Sequence, residues 1–282
     1  MKNEKIILVV SIIISFITFW NLPFIKYFKL LVVLIHEICH ASVALLTGNG
    51  VQQILVHHKE SGQTIISEGR SFSFLLIVSA GYIGSTFLGG FLLWRGFERK
   101  YSKLTLFVLG IVLLFFTFYY SKGNSFTFTL GLEFGFIFIT FSLFPKIVSS
   151  LSLIFIGSSI SLYSIYDLSD FTTSLMNTDA GILANWLLGK KDFLMGFSKK
   201  QFAYLIAILW SILSLLGLFH ILKKVFTDSD RFKHLNSLQK QFAESNVSPE
   251  VAKWFLERGL DLNGKPLSKN WAKEIKKEGK EF

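Results

Sequence analysis

The chain has 282 residues, 51% of them hydrophobic and 17% charged, with 31 phenylalanines, four prolines and a formal net charge of +10. That balance excludes an ordinary soluble domain and points to a membrane protein. No basic run carries interleaved aromatics, which argues against a nucleic-acid partner, and the single cysteine, Cys39, excludes an intrachain disulfide.

A membrane-spanning helix needs about 20 mostly apolar residues. Windows at 6–25, 28–46, 72–94, 104–120, 126–144, 147–166 and 201–222 meet or nearly meet that requirement. The expected fold class is therefore an all-α membrane protein, a polytopic bundle of about seven transmembrane helices. Lys2 and Lys5 precede the first window as in a signal peptide. The run ends in Trp20-Asn21-Leu22-Pro23 with no small-residue cleavage site, so it reads as a retained helix.

The longest polar stretch between early windows is 47–71. Gly48 and Gly50 end the second helix, Val51–His58 reads as a strand, Lys59-Glu60-Ser61-Gly62 as a turn and Gln63–Ser67 as a returning strand. A short β-hairpin at the membrane surface is expected here. It could add a substrate strand by backbone pairing or simply connect two helices. In the third window Gly81, Ser85 and Gly89 recur every four residues, so one helix face admits close approach.

Ile182–Leu188 is apolar but too short to span. Trp20, Trp94, Tyr119, Tyr120 and Trp186 stand near segment ends, as interfacial anchors do. Arg95, Arg99, Lys100 and Lys103 favour a cytoplasmic loop, but Lys190, Lys191, Lys199 and Lys200 then fall outside, so charge bias assigns no orientation. Composition breaks near 222: residues 1–222 hold 16 Lys/Arg and 10 Asp/Glu, and the last 60 hold 13 and 9. Residues 223–282 read as a basic, soluble helical C-terminal tail. Ser248-Pro249-Glu250 and Ser268 are helix starts within it, and Asn263-Gly264 is a turn.

The decisive segment is Leu30–Leu46, LLVVLIHEICHASVALL. It is apolar enough for lipid, yet it holds His36, Glu37 and His40, and ionisable groups at that depth are costly unless paired or bound. His36 and His40 are four residues apart, so both imidazoles lie on one helix face and can bind one tetrahedral zinc ion. Glu37 stands beside them, free to take a proton from an attacking water and pass it to a leaving amine. Cys39, one turn from His36, reads as a buried, inert thiol rather than a sulfur ligand. His57 and His58 are neighbours on a strand, point to opposite faces and read as surface residues.

A catalytic zinc needs a third protein ligand and one open position. The carboxylates in or near apolar segments are Glu133, Asp167, Asp170 and Asp179. Small neighbours in Asn177-Thr178-Asp179-Ala180-Gly181 favour Asp179, with the others open.

His36-Glu37-Ile38-Cys39-His40-Ala41, Ser61-Gly62-Gln63-Thr64, Ala80-Gly81-Tyr82-Ile83-Gly84 with Gly89, and Thr178-Asp179-Ala180 with Leu183-Ala184 together resemble the site-2 protease family of intramembrane zinc metallopeptidases. The likeness is to its compact bacterial branch and spans roughly residues 30–190. In that branch a Ser-Asp-Ala-like motif supplies the aspartate ligand, with Thr178 in place of the serine here. The longer Asn-Pro-Asp-Gly form of that motif and an inserted PDZ domain are both absent from this sequence.

The resemblance implies one zinc ion per chain held by His36, His40 and Asp179, with Glu37 as general base. It implies a metallopeptidase-like membrane domain over 1–222, a bacterial cell-membrane location, and a membrane-protein or peptide substrate met within the lipid bilayer. The rival readings are an inactive relative acting as a membrane scaffold, a metal transporter, and another HExxH membrane protease with a downstream glutamate ligand. A transporter should line its path with more intramembrane carboxylates than this chain has. Glu133 is the candidate ligand for the last.

Overall fold

The computed structural model describes residues 22–67, 71–166, 175–189, 193–194, 196–244 and 248–261, with isolated positions 11, 14 and 18. Helix α1 runs Pro23–Leu46. Pro23 begins it, where the missing N–H would have no helical partner anyway. Gly48 ends it at φ 78, and the Asn49 N–H donates to the Ala44 carbonyl at 2.8 Å. Strands β1 (Val51–His57) and β2 (Ser61–Ile66) then form an antiparallel hairpin in which Ile54 faces Thr64 and Val56 faces Gly62.

Helix α2 (Ser71–Ser79), a π-helical turn at Ala80–Gly84 and α3 (Ser85–Glu98) make one apolar rod. Helices α4 (Ser102–Tyr120), α5 (Ser125–Leu143) and α6 (Lys146–Tyr166) follow. After a 3-10 turn at Leu175–Asn177 come α7 (Asp179–Leu188), a small pairing of β3 (Phe193–Leu194) with β4 (Phe197–Ser198), α8 (Lys199–Glu244) and α9 (Pro249–Glu257).

Among the described residues, five segments are long and apolar enough to cross a membrane: Ile25–Leu46, Phe72–Glu98, Ser102–Tyr120, Ser125–Leu143 and Lys199–Lys223. The expected window at 147–166 corresponds to α6, whose described apolar part, Lys146–Ser161, is shorter. Of the window at 6–25, only positions 11, 14, 18 and 22–25 are described. Helix α8 continues past its apolar window to Glu244, since residues 223–244 contain no Pro or Gly to stop it.

The chain divides into two compact units, Asn3–Val225 and Phe226–Phe282 with Met1–Lys2. In the second, the Ser248 hydroxyl accepts from the Val251 N–H at 3.5 Å as α9 begins. Ser268 and Asn263-Gly264 lie outside the described residues.

Two apolar clusters build the first unit. One joins Leu31, Leu34, Ile35 and Ile38 of α1 to Ile54 and Val56 of β1 and to α4, α5 and α6. The other joins Val78 and Tyr82 to Leu183 and Ala184 of α7 and Ala203, Ala207 and Trp210 of α8. Helices α3 and α6 touch backbone to backbone: a Cβ on Gly157 would lie 2.6 Å from the Gly89 carbonyl oxygen. Gly89 therefore serves helix packing, as the four-residue spacing suggests.

The expected hairpin is present and runs back along α1, with Ile54 and Val56 almost fully buried and Thr64 of β2 hydrogen-bonded to Glu37 in mid-helix. The reason lies in both partners. Alternation in β1 sends Ile54 and Val56 into the core, while Glu37 and Lys29 give β2 and its turn polar groups to bind.

Candidate metal centre

His36 and His40 stand one turn apart on α1, with ring centroids 4.8 Å apart and their Nε2 atoms at 3.1 Å. Asp179 begins α7, and its Oδ2 lies 3.1 Å from each of those nitrogens. The three donor atoms thus form a nearly equilateral triangle. Tetrahedral zinc with bonds of about 2.0–2.1 Å has donor–donor edges of roughly 3.3 Å, so the triangle has almost the size of one tetrahedral face. No other described histidine, cysteine or carboxylate joins this group.

The donor chemistry fits a cation as well as the spacing does. His40 Nδ1 lies 2.6 Å from the Ile77 carbonyl oxygen. A carbonyl only accepts, so Nδ1 carries a proton, which in a neutral imidazole leaves the Nε2 lone pair for a metal. Nε2 and the Asp179 oxygen at 3.1 Å are held together by a proton or a metal cation between them. The backbone carbonyl is the kind of outer partner that fixes a metal-ligating histidine in one tautomer. A set of two imidazoles and one carboxylate, with a fourth position open, suits zinc.

Gly81, in the π turn, faces both imidazoles, and a Cβ there would run into Nε2 of His36 and of His40. The histidines belong to α1 and Gly81 to a separate helix, so the clash could be relieved only by turning the imidazoles or separating the helices. Gly81→Ala is expected to weaken metal binding by at least tenfold to a hundredfold, the range for lost outer-shell support; competition against a chelator of known affinity measures it.

Glu37, one residue after His36, lies about 100° around the helix from it and turns toward β2. The Thr64 hydroxyl donates to Glu37 Oε2 at 2.7 Å and also lies 3.0 Å from the Glu37 backbone carbonyl. A Cβ on Gly62 would meet the Glu37 side chain. Glu37 and His40 are both 6% exposed, so the centre is enclosed without being sealed.

The outer edge of β2 is unpaired among the described residues, and one contact shows which residues it presents. The Val56 N–H donates to Thr127 Oγ1 at 2.8 Å and the Thr127 hydroxyl reaches the Val56 carbonyl at 3.3 Å. The Val56 backbone therefore faces away from β2. Its partner Gly62 faces away from β1 in turn, and the two-residue period does the same for Thr64. The outer edge of β2 thus presents backbone N–H and C=O groups at the two residues that lie against Glu37.

Of the other carboxylates, Glu133 is exposed on α5, accepts from the Tyr27 hydroxyl and stays apart from the triangle. Asp167 and Asp170 lie outside the described residues. Cys39 is half-buried against Gly84, and His57 and His58 are exposed. Sequence reasoning missed three neighbours of the centre: the Ile77 carbonyl, the Thr64 hydroxyl as partner of Glu37, and Tyr82. The Tyr82 ring meets His36 edge-on at 5.1 Å and stacks on Trp210 of α8 at 5.6 Å. Tyr82 beside Gly81 in the small-residue window was the available signal.

Fold and centre together define a multi-pass helical membrane protein with a two-histidine, one-aspartate site of metal-binding geometry. A family model described as Peptidase M50B-like matches residues 9–222, and the chain belongs to that family, part of the site-2 protease group of metallopeptidases. No curated protein and no solved structure matches the chain.

Proposed function

We propose that this chain is a zinc-dependent intramembrane endopeptidase that hydrolyses peptide bonds of membrane-protein substrates. The observation that carries the reading is the triangle of His36 Nε2, His40 Nε2 and Asp179 Oδ2 with 3.1 Å edges, beside a buried carboxylate that is not part of it. In this reading His36, His40 and Asp179 hold one zinc ion. Zinc in that position supplies a Lewis acid and brings the pKa of a water to about 7.

The chain's own residues do the remaining work. Glu37 takes the proton from the attacking water and delivers it to the leaving amine. Thr64 fixes the orientation of that carboxylate. The outer edge of β2 binds an extended stretch of substrate by backbone pairing, which aligns a peptide bond with Glu37 and the metal. A substrate helix must unwind to pair in this way, so unwinding selects among membrane proteins. The transporter reading lacks support, since the described residues hold a single group of potential metal ligands, the triangle itself.

The direct test is cleavage of single-span membrane peptides by the purified protein in detergent. Cleavage should stop with 1,10-phenanthroline and return with added zinc. Cleavage indifferent to chelator would exclude the metal mechanism.

Residues 1–222 carry this activity in our reading, and 223–282 form a water-exposed appendage with no part in the chemistry. No HExxH motif occurs beyond the composition break. A chain ending at Lys224 is expected to insert in membranes and hold about one zinc. Elemental analysis of that chain showing no zinc would make the tail part of the catalytic fold.

A further inference from the structure

Lys29 is a charged side chain with 4% exposure in the apolar α1 helix. It precedes His36 by seven residues, two turns, and so shares its face. Its ammonium donates to Glu60 Oε2 at 3.1 Å. Glu60 closes the hairpin turn, its N–H donating to the His57 carbonyl at 3.1 Å, and it sits at φ 61. That left-handed conformation suits glycine or asparagine better than glutamate. A glutamate there is explained by its carboxylate, which meets an ammonium in an apolar helix, where charge is costly unless compensated.

The hairpin is thus held to α1 at two levels, while its own base is closed by the Ser67 N–H donating to the Gly50 carbonyl at 2.9 Å. In the middle, Thr64 binds Glu37. At the tip, Glu60 binds Lys29. The level matters because a strand has a period of two. A slip of one residue along α1 would replace Thr64 by Gln63 or Ile65 opposite Glu37 and turn every side chain to the other face.

The geometry points to Lys29 and Glu60 as positioning residues that set the register of the β2 edge against Glu37, and hence which peptide bond of an extended substrate reaches the centre. The substrate half of this inference rests on the peptidase reading; the tether between α1 and the hairpin tip does not.

Glu60→Gly is the diagnostic variant, because glycine relieves the left-handed turn while removing the carboxylate. In the full-length protein in detergent, amide hydrogen exchange of residues 61–66 should become several-fold faster in Glu60→Gly and in Lys29→Met, with zinc content kept. Mass spectrometry of a cleaved single-span peptide should show one scissile bond in the wild type and adjacent bonds as well in both variants, with KM raised several-fold and kcat little changed. A purely structural tether would slow cleavage without moving the bond.

Wild-type exchange rates in Glu60→Gly would overturn the tether. Faster exchange with an unchanged cleavage position would overturn its role in register. If the wild type cuts no peptide, the peptidase reading and the register role fail together, while exchange still decides the tether. Should Lys29→Met fail to accumulate, Glu60→Gly alone decides.

Discussion

Asp179→Ala is expected to lose its zinc and its activity together. The substitution removes the third donor and leaves two imidazoles, one short of the three protein ligands a catalytic zinc site uses. It also removes the negative charge that compensates the cation in a poorly screened setting. Lewis-acid assistance amounts to several kcal/mol, so the rate should fall on the order of a thousandfold or more. Glu133→Gln should keep its metal, since that carboxyl engages the Tyr27 hydroxyl and stands apart from the triangle. Asp167→Ala and Asp170→Ala are expected to keep it as well. Elemental analysis of the four purified variants separates these outcomes. Zinc retained in Asp179→Ala but lost in Glu133→Gln would transfer the third ligand to Glu133.

Glu37→Gln should separate chemistry from metal binding. The amide keeps the shape of the side chain, and its carbonyl oxygen can still accept from the Thr64 hydroxyl. It cannot take a proton from water. Cleavage should therefore fall by at least about a hundredfold, the low end for loss of a general base, while zinc stays bound. Activity near wild type would remove Glu37 from the base role. Loss of zinc would instead make it a ligand, against the present geometry, in which the carboxylate faces Thr64 and Gly62 on β2.

His36, Glu37 and His40 were legible because helical period alone fixes their relative placement, and because ionisable residues stand out in an apolar window. Spacing could not single out Asp179, which its small neighbours favoured and the family resemblance named. It is 139 residues from His40 in the chain, and no periodicity links segments so far apart. Its small neighbours were the clue, and they have a packing reason: Ala180 and Ala184 are fully buried, and a Cβ on Gly181 would collide with the backbone of Leu175 and Met176.

The hairpin was readable as strand, turn and strand. Where it packs was not, since that depends on Lys29 and Glu37 offering partners from another element. The π turn at Ala80–Gly84 leaves no sequence signature, because its glycines are equally at home in an ordinary membrane helix. The contact of Trp210 with Tyr82 was hidden for the same reason as Asp179: α8 is distant in sequence and carries no ligand-type residue of its own near that ring.

The central claim is a zinc ion held by two imidazoles and one carboxylate, and X-ray absorption at the zinc edge of the purified wild-type protein tests it most directly. The expected result is about one zinc per chain with nitrogen and oxygen neighbours at about 2.0–2.1 Å and imidazole scattering from two rings. Absence of zinc in protein purified without chelator, or a sulfur neighbour at about 2.3 Å implicating Cys39, would contradict it.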